Sequence, residues 1–238
     1  MRAMGSLLVI LTLTAVTPLA GQGTADSLAA RGDSALGRGD AAAAAEAFAA
    51  ALRLRPNEPS LLQRLGRALR DLGKLTEALE RYEQAIAADS AFAPAYAGRA
   101  FTRHLLQDSQ GALTDVAHAR ALGMADPQLA LIAGMALGRE GRFAESEREL
   151  DAFVAAVPDE PAGWYFRGLG LGQQGKHAAA LEDFNRAEQA GMTVPQLYMD
   201  RGIAHGQLGH QTAACADLRR AADGGIAEAK KLVGERCR

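Results

Sequence analysis

Several things are scarce in this sequence, and each scarcity excludes something. Aromatic residues make up 5% of the 238-residue chain, with one Trp, and β-branched residues are few. Strands draw on those residue types, so the composition argues against sheets. Abundant Ala, Leu, Arg, Glu and Gln favour helix instead. A surplus of one charge is also missing, because 26 basic side chains face 28 acidic ones for a net charge of −2. Binding to a phosphate backbone needs a basic excess that displaces counterions, so nucleic acid is excluded as a partner. No G-x-S-x-G elbow and no G-x-x-x-x-G-K-[ST] phosphate loop occurs. Zinc on a helix calls for two His four apart plus a third ligand, whereas His205 and His210 are five apart with no suitably spaced carboxylate. They read, like His104, His118 and His177, as ordinary surface or turn residues. Gly168, Gly170 and Gly172 lack the preceding strand that a dinucleotide site requires. Pairs such as Glu182–Asp183 are expected on solvated helix faces. The expectation is a non-enzyme with no cofactor and no metal.

What is present begins with a leader. Arg2 is followed by the apolar run Leu7 to Val16, then Pro18 and the small residues Ala20, Gly21, Gly23 and Ala25. That is the layout of a secretory signal peptide over residues 1–24, with cleavage between 20 and 25. The alternative is an uncleaved N-terminal anchor, although the run is shorter than the roughly 20 residues that span a bilayer. Leu19-Ala20-Gly21 is followed by Gln22 rather than Cys, so no lipid anchor is expected. The mature chain is expected to be exported, periplasmic or secreted, with no membrane span.

A strict repeat follows. Gly32, Gly66, Ala100, Gly134, Gly168 and Gly202 are spaced by 34 residues. So are Ala44, Ala78, Ala112, Ser146, Ala180 and Ala214, and the bulky set Phe48, Tyr82, Val116, Leu150, Phe184 and Leu218. A turn register reads Gly39, Gly73, Gln107, Gly141, Gly175 and Gly209. The small positions let two helices approach, the bulky ones fill the space between successive pairs, and Gly in the turn supplies a positive φ where the first helix stops. One pair cannot bury its apolar face alone, but stacked neighbours bury it jointly.

These registers resemble the tetratricopeptide repeat. The second repeat carries Leu62, Leu65, Gly66 and Leu69, then Ala78 and Tyr82; the fifth carries Trp164, Gly168 and Leu171, then Ala180 and Phe184. Pro56 and Pro158 fill the closing proline position. Ser90, Met124, Met192 and Ile226 stand there in the other repeats, whose exits are expected to bend less sharply. The resemblance implies an all-α, right-handed α-solenoid of six helix pairs over 25–58, 59–92, 93–126, 127–160, 161–194 and 195–228, forming one domain to residue 238. First helices are placed near 25–38, 59–72, 93–106, 127–140, 161–174 and 195–208, and second helices near 41–54, 75–88, 109–122, 143–156, 177–190 and 211–223. After Gly224-Gly225, an amphipathic stretch over 226–237 reads as a solvating cap helix. The only two cysteines, Cys215 and Cys237, come level across that hairpin. Export and an even count favour a disulfide, the alternative being two buried thiols.

The resemblance also implies partner binding on the concave face lined by first helices. Carried over residue by residue, it gives a basic patch of Arg64, Arg67 and Arg70. Next come His104 and an apolar stripe of Phe101, Leu131, Met135, Tyr165, Leu169, Met199 and Ile203. Exposed contiguous apolar surface marks an interaction site; the alternative is that some of these side chains are simply packed between helices. The implied partner is a protein or peptide segment held by an envelope scaffold, or a second copy of the chain in a homodimer.

Overall fold

The structure, a computed structural model, describes residues 20–237. Among them are thirteen helices and no strand. The expected all-α solenoid is what the chain forms. First helices of the pairs are α1 (Ala20–Gly37), α3 (Pro59–Asp71), α5 (Ala93–Leu105), α7 (Gln128–Arg139), α9 (Pro161–Gln173) and α11 (Pro195–Gln207). Second helices are α2 (Ala41–Leu54), α4 (Leu75–Ala88), α6 (Ser109–Ala121), α8 (Phe143–Ala156), α10 (His177–Gln189) and α12 (Gln211–Asp223), and α13 (Ala227–Arg236) follows. Helix starts fall within a residue of the repeat spacing except at α1, which begins five residues early at Ala20. Of the expected leader, residues 1–19 lie outside the described residues.

Proline opens the first helices. Pro59, Pro161 and Pro195 are the first residues of α3, α9 and α11, and Pro94 is the second of α5. A missing N–H costs nothing there, and the fixed φ is already helical. The turns inside each pair close through Gly39, Gly73, Gly141, Gly175 and Gly209 at φ 75–76°. In the third pair Gln107 takes the same turn at φ 66°, the one non-Gly residue with positive φ among those described. A left-handed backbone costs an L-residue about 1–2 kcal/mol, so this turn is the strained member of the series.

The bulky register packs on the small register of its own pair, rather than only on the following pair. A Cβ placed on Gly32 would lie 2.6 Å from a ring carbon of Phe48, and one on Gly134 would lie 2.5 Å from Leu150 Cγ. Tyr82 serves two pairs, because it lies against Gly66 and also against Gly98 of the next, where a Cβ would be 2.3 Å from its ring. Phe48, Tyr82, Leu150 and Phe153 are fully buried, which ties successive pairs into one continuous core.

Two kinds of pair occur along the array. In the first, second and fourth, the second helix ends on a residue with φ between −135° and −147°, Arg55, Asp89 or Val157. In the third, fifth and sixth it runs into a left-handed glycine, Gly123, Gly191 or Gly225. Absence of proline therefore does not decide the exit: Ser90 follows an extended end, whereas Met124, Met192 and Ile226 follow a glycine stop.

The same third, fifth and sixth pairs carry a buried ion pair sixteen residues apart. Arg99 grips Asp115 through two hydrogen bonds of 2.9 and 2.8 Å, Arg167 grips Asp183 at 2.8 and 2.7 Å, and Arg201 grips Asp217 at 2.7 and 2.9 Å. Each joins the first helix of a pair to its second. The expectation of a solvated Glu182–Asp183 is corrected here: Glu182 is exposed, but Asp183 is 3% exposed and held by Arg167. Asp183 lies one helix position round from Glu182, which turns it inward to the guanidinium.

Candidate functional site

First helices of successive pairs lie side by side, α3 against α5, α5 against α7, α7 against α9 and α9 against α11. Their shared face carries three depressions in a row. The first, about 450 Å³, lies between α3, α5 and α7 and is lined by Arg67, Arg70, Ala97, Phe101, Met124 and Leu131, among others. The second, about 430 Å³, lies between α5, α7 and α9 with the start of α8 as its floor, and takes in His104, Met135, Phe143, Phe166 and Leu169. A third, about 250 Å³, lies between α9, α10 and α11 and includes Leu169, His177, Phe184, Asp200 and Ile203.

The sequence-expected residues distribute unevenly over this face. Phe101 and Leu131 line the first depression, His104 and Met135 the second, and Leu169 the second and third. Leu131, Met135 and His104 are buried side chains that form walls rather than exposed surface. The central helix α7 is the reason, because every residue from Leu129 to Leu137 is buried. Met199 is also buried, in a cluster with Ile226, Leu232 and Val233 that the cap completes by packing on α12. Ile203 belongs to that cluster and still reaches the third depression. The apolar stripe is thus a set of walls with openings, not a continuous exposed band.

The arginine patch is largely neutralised. Arg64 bonds Asp33 at 2.9 Å and lies off the depressions, and Arg70 bonds Asp71 at 2.9 Å while its guanidinium stacks 4.8 Å over Phe101. Arg67 is the most exposed of the three, 3.9 Å from Asp71. At the other end the face is acidic. Asp200 accepts a hydrogen bond from the Tyr165 hydroxyl at 2.8 Å and another from Gln196 at 3.1 Å, with no cation paired to it among the described residues. Tyr165 is half-buried by this bond and by Phe166 and Phe184.

Burial raises the Asp200 carboxyl above the ordinary aspartate range, opposed by the two hydrogen bonds. The native state therefore holds the Asp200 proton more readily than the unfolded chain does. The charge weakens the fold at neutral pH, and that penalty is relieved as pH falls through the native value towards the unfolded one. Asp200→Asn keeps an oxygen for Tyr165 and removes the charge. Its melting temperature should exceed that of the wild type at pH 7, with the gap narrowing towards pH 4. A gap that is absent at pH 7, or that widens in acid, would remove the argument.

Two features of the face were not among the sequence expectations. Gly138 and Gly170 line the second depression and Gly172 the third, and a Cβ at Gly170 or Gly172 would meet nothing within 4 Å. These glycines answer to no packing need, unlike Gly168, whose Cβ would lie 2.8 Å from the Phe184 ring. The sequence signal was their position two or four residues past the shared small register, at Gly134 and Gly168. His205 and His210 bring their Nδ1 atoms to 3.4 Å of each other. Among the described residues, no group of three or more His, Cys, Asp or Glu is arranged to hold a metal ion, and no helix is long and apolar enough to cross a membrane.

Comparison with known proteins places this architecture. Family models described as tetratricopeptide repeat and TPR repeat match residues 133–195 and 66–107. Among curated sequences nothing matches. Among solved structures the chain is similar to PilF of Pseudomonas aeruginosa, with 15% identity, a TM-score of 0.76, and 90% of this chain and 99% of that one covered. It is also similar to YrrB, described as a TPR protein with an unusual peptide-binding site, at 19% identity, a TM-score of 0.62 and coverage of 80% and 99%. MamA of Desulfovibrio magneticus RS-1 matches at 18% identity and a TM-score of 0.59, with coverage of 70% and 94%. Thirteen helices in stacked pairs, the 34-residue registers and both family matches agree: the chain is an array of tetratricopeptide-type repeats.

Proposed function

We propose that this protein is a non-catalytic scaffold of the cell envelope that holds a segment of a partner protein along its first-helix face. Proteins of this family generally act as interaction scaffolds rather than enzymes, through protein or peptide partners. The observation that carries the reading is the run of three depressions along one face, each walled by apolar side chains. Its two ends differ in charge, with Arg67 at one and Asp200 at the other, which would set the direction of a bound segment. The YrrB description offers a peptide-binding precedent on the same fold. Export is part of this reading, supported by the leader pattern and by the disulfide, a bond that persists in oxidising compartments. The mature chain would then be periplasmic or secreted, with no lipid anchor.

A photo-crosslinking residue at Gln173, an exposed position that lines two depressions, tests the site. Expressed in native cells, it should yield one dominant adduct. Gly172→Glu, which fills open space at the third depression, should abolish that adduct while leaving the helical signal intact. The same crosslinker at the exposed Arg148 of α8 should give none. Equal adducts from both faces would sink the groove, and an adduct with a second copy of the chain would redirect the reading to self-association. N-terminal sequencing of the mature protein should begin between residues 20 and 25; a chain starting at Met1 would remove the export claim.

A further inference from the structure

The second depression contains two features that the fold does not explain. Gly170 sits inside α9, where it costs about 1 kcal/mol relative to Ala, and Gly138 sits in the last turn of α7. A Cβ at Gly170 would meet nothing within 4 Å, and one at Gly138 only Ser146 Oγ at 3.4 Å, so close packing does not require them. Their effect is to keep the depression open. Beside them lies His104, 7% exposed, whose buried Nδ1 has no hydrogen-bond partner. Burial and then the charge of Arg139 hold this imidazole below the ordinary histidine range, so it is neutral at physiological pH. A walled-in nitrogen without an acceptor nearby is least costly as a bare lone pair. The ring proton then belongs on Nε2, which makes His104 a donor awaiting an acceptor.

The rest of the lining narrows what that acceptor belongs to. Met135, Phe143, Phe166 and Leu169 are apolar, so a charged group entering here would lose its hydration unpaired. A cation would also meet the Arg139 charge that already acts on His104. About 430 Å³ accommodates an aromatic ring, and rings gain from edge and face contacts with Phe and Met. A ring alone leaves His104 unanswered, whereas a ring with a hydroxyl answers it.

We propose that the second depression is a subsite for one tyrosine side chain of the partner segment, with its ring among Met135, Phe143, Phe166 and Leu169 and its hydroxyl oxygen accepting from His104. This rests on the first-helix face being the binding face. The subsite gives the bound segment a fixed register, with the tyrosine at the centre and the Arg67 and Asp200 ends on either side.

Selection of random peptides on the full chain tests it. Peptides enriched on the wild-type protein should carry tyrosine at one fixed position, and a synthetic winner should lose roughly tenfold in affinity when that tyrosine becomes phenylalanine, the worth of about one buried hydrogen bond. His104→Leu should erase this tyrosine-over-phenylalanine preference while phenylalanine peptides still bind. Gly170→Leu, which fills the opening and raises helix propensity, should weaken both peptides at least tenfold without lowering the melting temperature. Peptides that bind and are blocked by Gly172→Glu, but show no tyrosine preference or ignore Gly170→Leu, would overturn the subsite and leave the groove standing. If no peptides are enriched at all, the groove itself falls, and the subsite with it.

Discussion

Asp217→Ala should destabilise the protein by about 3–5 kcal/mol, the cost of stripping one partner from a buried ion pair. Asp217 and Arg201 are 8% and 9% exposed at their side chains, and two hydrogen bonds of 2.7 and 2.9 Å join them. The Arg201 guanidinium is held well above the ordinary arginine range, first by the Asp217 hydrogen bonds and against the opposing effect of burial. Without Asp217 the charge keeps Asn185 and the more exposed Glu188, which places the loss towards the lower end of that range. Arg201→Met combined with Asp217→Leu should recover most of the loss, because replacing both members leaves no charge stranded. Urea unfolding of the wild type, Arg201→Met, Asp217→Leu and the double variant gives the coupling directly. A single variant losing less than about 1 kcal/mol would place this pair with ordinary surface ion pairs.

The reason that pair escaped the sequence reading is instructive. Arg99, Arg167 and Arg201 share one repeat position, and Asp115, Asp183 and Asp217 share another, so the signal was present in the same 34-residue frame that revealed the helices. It was missed because apolar and small residues were aligned across all six copies, whereas this lock occupies three. Helix starts were legible because turn glycine and apolar spacing act locally. The glycine stops at Gly123, Gly191 and Gly225 were also visible as residues, but only the backbone shows that they replace the proline exit.

The face was less legible. Spacing along a first helix says which residues share a side, and it placed Phe101 and Leu169 on the lining of depressions. It does not say how deep each will sit. Leu131 and Met135 became walls because α7 is packed on all sides, and Met199 is buried in the cluster that α13 completes by packing on α12. Those are tertiary outcomes of the stack and cannot be read from one period. The charge reading failed because it counted the arginines without the acids beside them: Arg64 found Asp33 and Arg70 found Asp71.

Removing the disulfide should have the second-largest effect, and a distinctive one. Cys215 in α12 and Cys237 just past α13 are bonded, 22 positions apart in sequence. Closing a loop of that length is worth about 3 kcal/mol if the whole benefit comes from restricting the unfolded chain. In a stacked array, however, each unit is held mainly by its neighbour, so the loss should be local. The cap rests on one buried Ala229 with half-buried Ile226, Leu232 and Val233, a thin apolar contact for a ten-residue helix. Arg219 bonding the Cys237 carbonyl at 3.2 Å and Gln211 bonding that of Arg236 are the other ties at its end. Cys215→Ala with Cys237→Ala should therefore collapse amide protection across α13 and expose Met199 and Ile203, while α3 to α8 exchange as before. Uniform loss of protection along the array would show the bond stabilising the whole solenoid, and no loss in α13 would show a cap that packing alone can hold. In the local case the consequence reaches the first-helix face: releasing α13 lengthens its apolar surface past the third depression, so the disulfide would set where the proposed binding face ends.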